Sequence, residues 1–179
     1  MKRALSCTTM MILSATLAAA QTPAAPDTGY TATLRSSWNS VKRFVVSSAE
    51  KMPDANYAFK PTPEVRSFGE LIGHLANEHY LLCSPLKGEK NPMADVDFEK
   101  KTAKADLVKA ITDSIAYCDA AYATMKDEPK TVAAFSETRK DTPFRVMLLN
   151  VTHDSEHYGN MITYLRMKGI VPPSSTPTR

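Results

Sequence analysis

The stretch SPLKGEKNPMADVDFEKK, residues 84–101, decides how this chain folds, because it is too long and too aperiodic for an ordinary turn between helices. Pro85, Gly88 and Pro92 interrupt it and no apolar period runs across it, so it reads as a connection. On either side the pattern is helical. Before it, Ser67 and Glu70 make a Ser-x-x-Glu capping box that opens a helix with the stripe Phe68, Leu71, Ile72, Leu75, His79 and Leu82; Pro85 falls just past its end. After it, Leu107, Ile111, Ser114, Cys118, Ala121 and Met125 recur at heptad-like spacing from about Thr102 to Asp127, and Pro129 marks the stop. About eighteen extended residues reach up to roughly 55 Å, more than the length of either helix. The two helices can therefore run parallel, with the connection crossing back along them.

The cysteines favour that arrangement. Cys83 lies sixteen residues after Ser67, and Cys118 sixteen after Thr102, so parallel helices of matched start bring them to the same height. Antiparallel packing would hold them about a helix length apart. The spacing predicts a Cys83–Cys118 disulfide; the competing reading is two small buried hydrophobes.

Outward from this pair, Leu34, Trp38, Val41, Val45, Ser48 and Met52 alternate steps of four and three, giving a helix from about Tyr30 to Met52 that Pro53 stops. Thr142-Pro143 opens the last helix, which runs to about Lys168, where Gly169 caps it and Pro172-Pro173 forbids continuation. With no convincing strand pattern, the expectation is an all-α four-helix bundle of up-down-down-up topology over residues 29–173, followed by a tail, 174–179.

The first residues are of another kind. Met1-Lys2-Arg3, an apolar run through Leu17 and then Ala18-Ala19-Ala20 have the order of a secretory signal peptide, residues 1–20, too short to span a membrane. Cys7 precedes the apolar core and would leave with the signal. Residues 21–28, with Pro23 and Pro26, read as a flexible leader. The expected location is periplasmic or secreted, where a disulfide persists. Cleavage takes the formal charge from +3 to about +1. A near-neutral chain without a basic run or stacking motif has no electrostatic footprint for nucleic acid.

Three histidines carry the chemistry. His153 and His157, four apart, project from one face of the last helix, the spacing at which two imidazoles reach one metal ion. By helical rotation they fall roughly opposite the stripe Phe144, Met147, Leu148, Val151, Tyr158, Ile162 and Leu165, among Val146, Leu149, Met161 and Tyr164, which suggests a groove; the competing reading is a solvated face. His79 projects into the centre of its own helix's stripe, as a packed core histidine would. His74 projects to the flank and is the better match for a third ligand.

Three segments together resemble a known family: Ser67 to Ala76 with its "GHLA", His153-Asp154-Ser155-Glu156-His157-Tyr158-Gly159-Asn160, and the closing Leu165 to Pro173. In order and spacing they look like the DinB/YfiT-like metalloproteins, over essentially the whole chain after residue 28. The resemblance implies an up-down-down-up bundle, often a homodimer, with a divalent metal on His74, His153 and His157. Where many relatives carry His-x-x-His-His-x-Gly-Gln in the last helix, this chain has Glu156, Tyr158 and Asn160 at the second of those histidines, the residue after the third, and the Gln. Three imidazoles suit Zn²⁺, Ni²⁺ or Fe²⁺ and leave positions open for water or substrate. Glu78, Asp154 and Glu156 are the nearby carboxylates by sequence, with Glu78 and Glu156 the candidate proton acceptors. The resulting expectation is an exported metal-dependent hydrolase of a small or xenobiotic substrate. Its alternatives are a non-catalytic metal- or ligand-binding bundle and a thiol S-transferase, the latter disfavoured because such thiol pools are cytosolic. A third reading is a bundle held by its core and one disulfide, with no metal.

Overall fold

The computed structural model describes residues 29–128, 132–134 and 136–176; the expected signal, the whole leader and residues 177–179 of the tail lie outside them. Four helices form the body: α1 (Tyr30–Lys51), α2 (Phe68–Lys87), α3 (Lys104–Thr124) and α4 (Pro143–Met167). On α1 the four-three pattern is the buried face, with Leu34, Trp38, Val41, Val45 and Ser48 all inside. The capping box at the start of α2 is complete: Glu70 N–H donates to Ser67 Oγ at 3.2 Å, and Ser67 N–H to the Glu70 carboxylate at 2.6 Å. Thr142 caps α4 by accepting from Arg145 N–H, with Pro143 in the first turn.

Helix directions follow from who meets whom. Along α2 and α3, Gly69 lies beside Leu107, His79 bonds Ser114 and Cys83 joins Cys118, so both indices rise together and the helices are parallel. Between α1 and α3 the order reverses: Tyr30 bonds Lys126, Arg35 bonds Tyr122 and Trp38 bonds Asp119. Phe44 stacks on Tyr158 and Tyr30 meets Phe144 edge-to-face, making α1 and α4 parallel. The topology is up-down-down-up. No described helix is long and apolar enough to cross a membrane.

Three local expectations need correction. Pro85 does not lie past α2 but inside its last turn; there it forfeits one backbone bond, and the helix ends two residues later at Lys87, capped by Gly88, whose φ of 72° only glycine adopts without strain. A short antiparallel hairpin, β1 (Val132–Ala134) and β2 (Ser136–Asp141), stands between α3 and α4 where no strand was expected. Its register slips after Ala133, which breaks the alternation by which a strand is read from sequence. On α4, Phe144 and Leu148 are 41% and 39% exposed, whereas Val146, Asn150, His157, Met161 and Tyr164 are buried. That helix packs against both α1 and α2, so its inner arc is wide and is centred nearer the histidines than the apolar stripe indicated.

The Cys83 and Cys118 sulfurs are bonded, with Cα atoms 5.2 Å apart. The bridge closes the whole crossover into a loop, which in the chain-entropy account stabilises by about 3 kcal/mol. Replacing both cysteines by serine should lower the urea-unfolding free energy by that order. An unchanged midpoint would show that the bridge does not form in the purified protein.

Candidate metal centre

His74, His153 and His157 turn their ring edges towards one point. His153 Nε2 lies 3.2 Å from His74 Nε2 and 3.1 Å from His157 Nε2. One ligand atom from each ring falls within 4.8 Å of the others, the group of metal-ligand type found among the described residues. Zn–N bonds of about 2.0–2.1 Å in a tetrahedral site put ligand nitrogens about 3.3 Å apart, so the observed spacing fits a single ion.

Protonation favours the same use. Burial, reinforced by the neighbouring His153, His74 and Arg66, pushes His157 down to about 4. His153 is also lowered, burial again being the main cause, although Glu78, Asp154 and Glu156 work against it. Two imidazoles that stay neutral keep lone pairs available for a cation. His74 is fixed from behind: its Nδ1 donates to Glu99 Oε1 at 2.8 Å, which leaves Nε2 as the acceptor facing the other rings. Asn160 Nδ2 stands 3.4 Å from His157 Nδ1, and His153 Nδ1 is buried without a hydrogen-bond partner among the described residues. The chemistry of the donor set, three convergent imidazole nitrogens with no carboxylate between them, fits a divalent metal.

Glu99 is the residue that sequence reasoning missed. It comes from the crossover, twenty-five positions from His74, in a segment with no period to read. Its delivery depends on Gly73. A Cβ built there would lie 2.4 Å from Phe98 O and 2.7 Å from Glu99 N, so only glycine lets the crossover backbone rest on α2 beside the ligand. One turn on, Asn77 Oδ1 accepts from Phe98 N–H at 3.0 Å and pins the same segment. Arg66 Nε donates to the other Glu99 oxygen at 2.9 Å. Burial opposes charge on Glu99, but the hydrogen bonds from Arg66 and His74 outweigh it and hold its carboxyl below the usual range.

The other expected residues fall in distinct places. His79 is fully buried and bonds Ser114 Oγ at 2.9 Å and Asp154 at 3.0 Å, with the edge of Trp38 against its ring. Asp154 is thus a core partner of His79, from between the two α4 histidines. Glu78 is half-buried and reaches His153 through its field; Glu156 is exposed. A cleft of about 630 Å³ opens on His157 and Glu99, walled by Arg66, Lys60, Leu71, Asn160 and Tyr164. Of the apolar neighbours from which a groove was expected, Tyr164 lines this cleft with His157, whereas Val146 and Met161 are closed core.

Residues 40–161, more than half of the chain, match the DinB superfamily. The chain belongs to the DinB superfamily. The chain is similar to the uncharacterized protein YjoA of Bacillus subtilis (strain 168), 28% identical over 124 residues, covering 68% of this chain and 79% of YjoA. The crystal structure of a DinB-like protein from Bacillus cereus ATCC 10987 superposes with a TM-score of 0.66 at 15% identity, covering 78% of this chain and 93% of that one, a likeness of fold.

Two substitutions separate the supports of this DinB centre. Gly73→Ala should displace the crossover and weaken metal binding about tenfold, with a stability loss of about 1–3 kcal/mol from overpacking; zinc titration against a chromophoric chelator reads the first and urea unfolding the second. Asp154→Ala leaves His79 unpaired in the core and should cost about 3 kcal/mol or more, whereas Asp154→Asn, which keeps a hydrogen-bonding oxygen, should cost less. Equal losses in the two variants would show that the His79 bond contributes nothing.

Proposed function

We propose that this protein is an exported, metal-dependent hydrolase of a small substrate, built on His74, His153 and His157. The reading rests on one observation above the others: three imidazole nitrogens converge at ion-binding separation, and one of the three rings, His157, lines an open cleft. A divalent ion held there would supply Lewis acidity and lower the pKa of water towards neutrality. The chain's own residues would do the rest. Glu99 holds the His74 tautomer, and Arg66 holds Glu99. Leu71 and Tyr164 wall the cleft on its core side, and Asn160 reaches its edge beside His157. For the proton acceptor, Glu78 and Glu156 were the sequence candidates; neither lines the cleft, and of the three carboxylates that do, Glu64, Glu70 and Glu99, Glu99 is the one bonded to a ligand histidine, although both its oxygens are bonded. Export rests on the charged, apolar and small-residue order of residues 1–20 and on a Cys83–Cys118 pair suited to an oxidising compartment.

The second reading is a metal-binding or ligand-binding bundle without catalysis, favoured by the commitment of Glu99 to two partners. Mature protein purified without an affinity tag should carry about one divalent ion per chain by elemental analysis, and His157→Ala should lose it with an unchanged far-ultraviolet spectrum. Ester, lactone and amide panels should then show turnover that disappears both on chelation and in His157→Ala. Metal uptake without such turnover would leave the binding reading; absence of metal would end the hydrolase reading and reduce the second to ligand binding without a metal.

A further inference from the structure

The cleft beside the histidines is walled by three carboxylates and two cations whose hydrogen-bonding capacity is unequally committed. Glu70 closes the capping box and accepts from Lys60 at 3.1 Å. Glu99 divides its oxygens between His74 and Arg66. Glu64 stands exposed at the rim. The two inner acids are turned back onto the protein. The cations are not. A guanidinium has five N–H donors, and Arg66 gives Nε to Glu99; an ammonium has three, and Lys60 gives one to Glu70. Both side chains remain about two-fifths exposed, at 42% and 39%. The Arg66 backbone is held as well, its carbonyl accepting from Tyr164 OH at 2.6 Å.

We propose that the cleft recognises an oxyanion, a carboxylate or phosphate group, on a small substrate, through the terminal N–H groups of Arg66 and the ammonium of Lys60, with the remainder of the molecule directed to His157. The proposal rests on the reading of the three histidines as a metal centre and names the substrate class for it. A planar guanidinium whose Nε is already tied down presents its outer edge in a fixed orientation, the geometry that suits a bidentate oxyanion. Arg66 also lies close enough for its charge to act on His157, so a group bound to it is a neighbour of the ligands. Partial exposure keeps the attraction modest and sensitive to salt.

The test uses the full mature chain, zinc-loaded and zinc-free, titrated with succinamate, its neutral counterpart succinamide, and methyl phosphate, followed by amide and Arg side-chain NMR shifts. Succinamate or methyl phosphate should bind at least fivefold more tightly than succinamide, the tighter of the two naming the oxyanion. The preference should fall at least fivefold in Arg66→Gln/Lys60→Gln, survive in part in Arg66→Lys, and weaken at high salt. Binding of both succinamate and methyl phosphate no tighter than that of succinamide overturns the proposal. So does an anion preference that persists in the double variant but vanishes in His157→Ala, because the anion then sits on the metal. If wild-type protein takes up no zinc, the metal reading fails by itself, and the zinc-free titration still decides whether the cations select an oxyanion.

Discussion

The contact at Gly73 is the constraint on which the site depends. A parallel pair of helices needs a connection that returns the length of the bundle, and that connection needs somewhere to lie. Here it lies against α2, where the absence of a side chain at Gly73 admits the Phe98–Glu99 backbone and Asn77 holds it by one hydrogen bond. The consequence is chemical. The crossover brings Glu99 to the back of His74, so one glycine links the topology of the fold to the orientation of a ligand. The Cys83–Cys118 bridge closes the same crossover from the far end of α2.

A second constraint fixes α4. Its histidines reach His74 only if the helix is rotated so that His157 faces inward, and Asp154, between them, is anchored in the core on His79 and through it to Ser114 of α3. A buried carboxylate without that partner would cost several kcal/mol, so rotations of α4 that withdraw it from His79 are disfavoured. The polar node therefore acts as a register for three helices. Apolar packing alone would specify the rotation poorly, because α4 carries large apolar residues on more than one side: Phe144 and Leu148 remain partly in water while Met147 and Met161 are fully buried.

That ambiguity explains what could and could not be read from the amino-acid order. Helices α1 and α2 were legible because their apolar residues keep one phase and their ends carry local signals, Pro53 and the Ser67–Glu70 box. The parallel pairing was legible from the length of residues 84–101 and the height of the two cysteines. The rotation of α4 was not, since a wide apolar arc has no sharp centre. Among the residues at the site, His74 was separable from His79 because flank and stripe differ by about a third of a turn on α2. Glu99 was not separable from any other loop carboxylate: its position is set by a close backbone approach, and the only trace of that in the sequence is a glycine beside a histidine.

The neutrality of the imidazoles shapes what this centre would prefer as company. A divalent ion on three uncharged ligands keeps its full charge, and the nearest carboxylate, Glu99, is separated from it by a ring and already shared with Arg66. An ion bound there would add positive charge beside a cleft that Arg66 and Lys60 line together with Glu64, Glu70 and Glu99. Asp154, buried against His79, acts on His153 from the core side. Carboxylate ligands would have quenched the ion's charge and made the site one for oxygen-seeking ions such as Mg²⁺ or Ca²⁺. With histidines alone, the arrangement favours a borderline metal and leaves its attraction for anionic or polarisable oxygen groups undiminished, which is the property a centre needs if it is to act on what enters the cleft.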